Sequence, residues 1–211
     1  MVLATAKYFV FLEICDADIC ELLNNLRAIF NQRAFKSNIH VTLRGPYVKP
    51  VPASHLEDWY DKISSDSILI ANAGMFENDN ESIVYLGVST THNSRNISRI
   101  TKKFDYPKNK FDFNPHITLY AGTNKELARK ILEFLRKERI ELLCHSFELS
   151  VYATSSQHEL FKEDRPSLKG SISSLISSRK VSPDIFIRAR NLVQESSGSD
   201  FILDKDNYFR E

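Results

Sequence analysis

The sequence predicts a mixed fold of strands and helices in two pseudo-symmetric lobes that share a cleft. Three observations predict it. Strand-like and helix-like segments alternate from Tyr8 to Tyr152. A tyrosine-bearing strand, a helix and a histidine-bearing strand occur twice: Tyr8 precedes His40 by 32 residues, and Tyr85 precedes His116 by 31. The chain's 211 residues, 42% hydrophobic and 26% charged, suffice to bury a core.

Taken in order, Tyr8 to Ile14 is aromatic and β-branched and reads as a strand. Asp16 or Asp18 caps a helix in which Ile19, Leu22, Leu23, Leu26, Ile29 and Phe30 recur at helical spacing. Asn38 to Leu43 is a second strand, ended by Gly45-Pro46. Pro52 and Ser54 open a helix bearing Leu56, Trp59, Tyr60 and Ile63. Ile68 to Met75 and Ser82 to Val88 are strands around the polar turn from Glu77 to Glu81. Asn96 to Phe104 reads as a basic helix and Phe113 to Tyr120 as a strand. Asn124 to Arg139 is a helix with Leu127, Ile131, Phe134 and Leu135 on one face, and Ile140 to Tyr152 supplies further strand material.

Composition changes at Ser155: of the chain's 23 serines, 12 fall between Ser155 and Ser199. We therefore expect a pseudo-duplicated domain over residues 1–154 and an appended, Ser-rich, partly helical segment over 155–211, able to pack on it. Helices are expected near Lys169–Ile176 and Pro183–Val193, with a polar, fraying end from Glu195.

The formal net charge of +1 argues against a tail-driven polyanion binder and suits a small anionic partner. One local stretch is basic: Arg95, Arg99, Lys102, Lys103, Lys108 and Lys110 against Asp105 alone, which reads either as a solvated helix face or as a guide for phosphates. Cys15, Cys20 and Cys144 form no metal-binding spacing and read as reduced structural thiols. The one N-terminal apolar run, Tyr8 to Leu12, is too short for a signal core or a membrane span. The expectation is a cytoplasmic protein with no membrane association and no obligate protein partner.

The tetrapeptide His40-Val41-Thr42-Leu43 recurs as His116-Ile117-Thr118-Leu119. With 6 His, 8 Thr and 21 Leu in the chain, random placement would produce even one copy with a probability of about 0.02. In a strand, residues two apart share a face. His40 and Thr42 thus share one face, as do His116 and Thr118, with aliphatic neighbours on the other. Pseudo-symmetry brings the two pairs face to face. Were the strands straight, Arg44 and Tyr120 would point into the same groove, where the fork of Arg44 suits phosphate oxygens. Tyr8 and Tyr85, at matching places in the repeat, would flank the groove and stack on a base, with core packing as the alternative.

Two opposed imidazoles suit concerted acid–base catalysis, because a pKa near ~6.5 lets one ring be neutral while the other is protonated. The threonine hydroxyls can hold the non-bridging oxygens of an anionic centre. That set matches in-line attack at a phosphodiester. Zinc is the competing reading, but neither motif offers a third ligand at short spacing and threonine is an uncommon one, so no metal and no cofactor is expected. No Walker loop, dinucleotide fingerprint or nucleophile elbow is present. His55, His92, His145 and His158 match no motif, and His145 beside Cys144 would point away from it on a strand.

The stretches His40-Val41-Thr42-Leu43-Arg44-Gly45-Pro46-Tyr47 and Pro115-His116-Ile117-Thr118-Leu119-Tyr120 resemble the motifs of the 2H phosphoesterase superfamily, nearest its bacterial 2′-5′ RNA ligase and cyclic phosphodiesterase group. The resemblance runs from about Tyr8 to Tyr152. It implies an α+β fold with antiparallel sheets around a central groove and helices on the outside, metal-independent chemistry, catalytic roles for His40 and His116, and phosphate binding by Thr42 and Thr118. Tyr47, within the first motif, joins Arg44, Tyr120, Tyr8 and Tyr85 as a candidate substrate contact. The implied partner is a nucleotide, a short RNA or a cyclic oligonucleotide, cleaved at a 2′,3′-cyclic phosphate, a 2′-5′ link or an RNA 3′ end. Degradation of cyclic oligonucleotide signals is an alternative, and a binder of nucleotides or RNA ends without turnover is another. The Ser-rich extension departs from the compact family pattern.

Overall fold

The structure is a computed structural model. It describes residues 7–32, 37–47, 49, 52, 54, 56–57, 67–90, 114–154, 160–162, 168–171, 181–182 and 184–197. Two antiparallel sheets carry the fold. The first contains β1 (Tyr8–Ile14), β2 (His40–Tyr47), β7 (Ser146–Thr154), β8 (Leu160–Lys162) and β9 (Leu168–Ser171), in the order β2-β1-β7, with β8 and β9 both pairing with β7. The second contains β3 (Ile68–Glu77), β4 (Ser82–Thr90), β5 (His116–Gly122) and β6 (Leu142–Cys144), in the order β5-β4-β3-β6.

The two sheets repeat each other strand for strand, β2-β1-β7 matching β5-β4-β3. Residue register makes the match specific. Phe11 pairs with Thr42 on one side and Ser150 on the other; Tyr85 pairs with Thr118 and Gly74. Phe11 is therefore the counterpart of Tyr85, in place of the expected Tyr8.

Alternation explains which faces are buried. Val10, Leu12 and Ile14 in β1, and Val84, Leu86 and Val88 in β4, enter one continuous core. Helix α1 (Ala17–Asn31) starts where Asp16 accepts from the Ile19 amide at 3.3 Å, and buries Ile19, Leu23, Leu26 and Phe30. Helix α2 (Lys125–Glu138) starts where Asn124 accepts from the Leu127 amide at 3.0 Å, and buries Leu127, Ile131, Phe134 and Leu135. Both end on a left-handed residue, Gln32 and Arg139. Helix α3 (Ile185–Ser197) sinks Ile185, Ala189 and Val193 into the same core and lies against α1 and α2. Arg188 joins it to Glu138 of α2 at 2.7 Å.

Among the described elements, β2, β9 and α3 depart from the sequence reading; α3 runs to Ser197, past the fraying end expected from Glu195. The strand at His40 does not stop at Gly45-Pro46 but continues to Tyr47. As a sheet edge, β2 tolerates a proline that donates no ladder bond. Residues 168–171 are a strand on β7 where a helix was expected to begin at Lys169. The β7 edge presents unpaired backbone groups that this segment pairs, and Gly170 disfavours a helix. Of the helix expected from Pro52, Ser54, Leu56 and Glu57 are helical. The rest of it, the helix at Asn96–Phe104, Phe113, and residues 172–176 and 198–211 lie outside the described residues, as do His55, His92 and His158.

Cys15, Cys20 and Cys144 are free; burial raises the Cys20 thiol and pushes that of Cys144 up to about 12. Among the described residues no helix is long and apolar enough to cross a membrane, and no three His, Cys, Asp or Glu side chains group to hold a metal ion.

Candidate active site

The groove begins with the faces that the core leaves over. Val41 and Leu43 are buried, so His40 and Thr42 take the opposite face of β2, beside Glu13 and Phe11 of β1. Ile117 and Leu119 are buried likewise, so His116 and Thr118 take the opposite face of β5, beside Gly87 and Tyr85 of β4. Among the described strands β2 and β5 are sheet edges, and they approach within 8 Å, Cα to Cα. Each motif thus lies on the rim of its sheet, next to the other.

The two imidazoles are held the same way. His40 Nδ1 donates to the carbonyl of Asn38 at 2.8 Å, and His116 Nδ1 to that of Asn114 at 2.7 Å. A carbonyl only accepts, so in the neutral ring the hydrogen is on Nδ1 and the lone pair on Nε2. Each asparagine is anchored in turn on the neighbouring strand. Asn38 Nδ2 donates to Glu13 at 3.0 Å, and Asn114 Nδ2 to the Tyr85 hydroxyl at 2.8 Å. Neither asparagine was singled out from sequence, although the repeat extends to them: Asn-x-His-x-Thr-Leu occurs at 38–43 and 114–119.

Aromatic rings back both histidines. Phe11 stacks on His40 at 4.2 Å between centroids, with Tyr152 behind it at 4.9 Å. Tyr85 lies 4.9 Å from His116, with Phe76 stacked on it at 4.6 Å. Tyr152 and Phe76 are themselves counterparts, pairing with Phe9 and Ile83. Burial behind these rings lowers both histidine pKa values below the ordinary range. The Asn38 and Asn114 carbonyls oppose that effect. At His40 the Arg27 and His116 charges depress the value further, while the Glu13 carboxylate supports protonation.

Helix α1 ties the lobes together from behind. The buried Arg27 donates through Nε to the Thr118 carbonyl at 2.7 Å and through Nη1 to the Ser37 and Asn38 carbonyls at 3.4 Å each. One guanidinium thus spans both motifs, at the cost of desolvation that lowers its pKa to about 10. Asn31 donates to the Leu119 carbonyl at 2.7 Å and accepts from the Ala121 amide at 3.1 Å.

Those bonds hold a β-bulge. Leu119 is an extra residue between the pairs Tyr85–Thr118 and Val84–Tyr120, and Leu43 is one between Phe11–Thr42 and Val10–Arg44. The bulges break the straight alternation expected from sequence. Arg44 and Tyr120 come opposite the core residues Val10 and Val84 instead of continuing the histidine face. Tyr120 is 5% exposed and donates to the Asn124 carbonyl at 3.4 Å. Tyr8 and Tyr47 pair with each other and pack against the core. Of the five candidate substrate contacts, the structure brings Tyr85 alone beside a histidine. The basic stretch from Arg95 to Lys110 lies outside the described residues. His145 Nδ1 meets Ser67 Oγ at 3.0 Å while Cys144 Sγ donates to the Ser146 carbonyl at 3.1 Å, so the two side chains have separate partners.

A family model, the 2′-5′ RNA ligase superfamily, matches residues 15–155. Among solved structures, Usb1 from Kluyveromyces marxianus with uridine monophosphate is similar at 16% identity and a TM-score of 0.36, over 77% of this chain and 99% of that one. No curated protein matches the chain.

Proposed function

From the premise that the chain belongs to the 2′-5′ RNA ligase superfamily, we propose that it is a 2H-type phosphodiesterase that cleaves a nucleotide phosphodiester without a metal. The substrate class is a 2′,3′-cyclic phosphate, a 2′-5′ link or an RNA 3′-end linkage. One observation carries the reading: two imidazoles on adjacent rims, each pinned through Nδ1 by the carbonyl two residues before it, which leaves each Nε2 for proton transfer.

In this mechanism the neutral imidazole takes the proton of the attacking water or hydroxyl at Nε2. The new P–O bond forms in line with the breaking one, and the protonated imidazole delivers its Nε2 hydrogen to the leaving oxygen. Net proton count on the pair is unchanged, with the two rings exchanging states. Thr42 and Thr118 donate to the non-bridging oxygens, whose negative charge grows in the transition state. Tyr85 packs against the His116 ring, 4.9 Å between centroids, and holds it in place. The reading places the enzyme in the cytoplasm, in keeping with its free thiols.

The test is a substrate screen with products identified by mass: 2′,3′-cyclic nucleotides, linear 2′-5′ dinucleotides, short RNAs and cyclic oligonucleotides, each with and without EDTA. We expect turnover of at least one linear or 2′,3′-cyclic substrate, unaffected by chelation. Abolition by EDTA with rescue by one metal, or tight binding without any product, overturns the proposal.

A further inference from the structure

The pseudo-symmetry fails beside the histidines, and it fails in one direction. In the first lobe Glu13 stands opposite His40, with Glu148 and Ser150 on the next strand. These three side chains fill that space and are 3%, 7% and 3% exposed. The same three positions in the second lobe, by register, are Gly87, Ala71 and Gly74. Gly87 and Ala71 leave a trough of about 320 Å³ on the His116 face, running from Tyr85 to Ser89, while the Tyr85 ring lies over Gly74.

A second feature points into this trough. Asn72 is the extra residue of a bulge in β3, between the pairs Ala71–Gly87 and Ala73–Leu86. It holds a left-handed conformation, φ 58°, which a non-glycine side chain adopts rarely and asparagine best. A Cβ placed on Gly87 would lie 4.0 Å from the Asn72 Cβ, so the Asn72 side chain leaves the backbone on the trough's own side. A bulge beside a reaction centre re-aims a side chain. Here it supplies a carboxamide, with both donor and acceptor, at the rim of a space lined also by Ala71, Gly87, Ser89 and Asn114, the last of which already donates to the Tyr85 hydroxyl.

We propose that the trough receives the nucleobase of the nucleotide whose phosphate lies between His40 and His116, and that Asn72 reads the base's hydrogen-bonding edge. This rests on the phosphodiesterase reading above and gives the substrate a direction, because the first lobe has no matching space. The volume is at the small end of ligand pockets, about 300–1,000 Å³, and suits one planar heterocycle. An unpaired base is recognised by its edge and by contact with aromatic rings, and Tyr85 closes one end of the trough.

The experiment is calorimetric titration of the full chain with the four nucleoside 3′-monophosphates and with base-free ribose phosphate, alongside turnover of the matching 2′,3′-cyclic phosphates. At least one nucleotide binds roughly tenfold tighter than ribose phosphate. That ratio falls toward one in Asn72→Gly, where glycine suits the backbone, and in Ser89→Phe, which fills the trough by a different route. A ratio near one in the parent protein, or a ratio unchanged in either folded variant, overturns the proposal. Turnover without base preference defeats the trough alone, whereas a variant-sensitive binding ratio without any turnover sustains the trough and defeats the phosphodiesterase reading.

Discussion

Glu13 stands directly opposite His40 in the β1–β2 ladder, and Asn38 joins the two through its carboxamide and its carbonyl. The carboxylate also accepts from Ser150 Oγ at 2.5 Å and from the Tyr152 hydroxyl at 2.7 Å. Glu13→Gln leaves a buried donor poorly matched, which costs roughly 1–3 kcal/mol of stability. It also removes the anion that supports the His40 imidazolium, while burial, Arg27 and His116 still oppose it. The His40 titration therefore moves to lower pH. Denaturant melts and ring-proton NMR measure the two effects; an unchanged or raised His40 pKa contradicts the assignment.

Arg27 predicts a different failure. Its guanidinium spans the Thr118 carbonyl and the carbonyls before His40, a reach that one ammonium does not reproduce. Arg27→Lys is expected to cost roughly 1–3 kcal/mol in stability and to lower kcat while the protein remains folded. A lysine variant with full kcat shows that the lobes are set by other contacts.

The His-x-Thr pair was legible because it recurs as a tetrapeptide, and the helices because Asp16 and Asn124 precede clear apolar periods. The groove's walls were not. One-residue bulges at Leu43 and Leu119 reverse the alternation, which is why Arg44 and Tyr120 seemed to face the phosphate. The Tyr8–Tyr85 spacing matched in sequence, yet Phe11 occupies the equivalent place, because spacing along a chain does not set register between strands. Glu13 and Gly87 become comparable only once the strands pair. The Asn-x-His extension of the repeat was readable and is the one signal that sequence reasoning passed over.

The pH dependence follows from burial of both rings. Their pKa values lie below the ordinary 6.5, so the unfolded chain takes up protons that the folded chain resists. Their contribution to stability is complete above about pH 6.5 and is lost as pH falls through the depressed values. Activity needs one ring neutral and one protonated, so kcat/KM follows a bell centred below about pH 6.5. A pH–rate series on a 2′,3′-cyclic nucleotide checks this; a flat profile, or an optimum well above neutrality, contradicts it.

The threonines should matter to the transition state more than to the fold. Thr42→Val and Thr118→Val keep the β-branch that the strands favour and remove only the hydroxyl. Each is expected to lower kcat by the equivalent of roughly 2–4 kcal/mol. Thermal melts alongside the kinetics separate this from unfolding, and unchanged kcat in both variants removes them from the mechanism.

The central claim is that His40 and His116 share one reaction as acid and base. Its most direct test is single-turnover cleavage of a 2′,3′-cyclic nucleotide by the parent protein, His40→Ala and His116→Ala, with folding checked by circular dichroism. Each variant should lose at least about 100-fold in rate, and the double variant little more than either single one, because the pair acts as a unit. Full activity in either folded single variant would contradict the account.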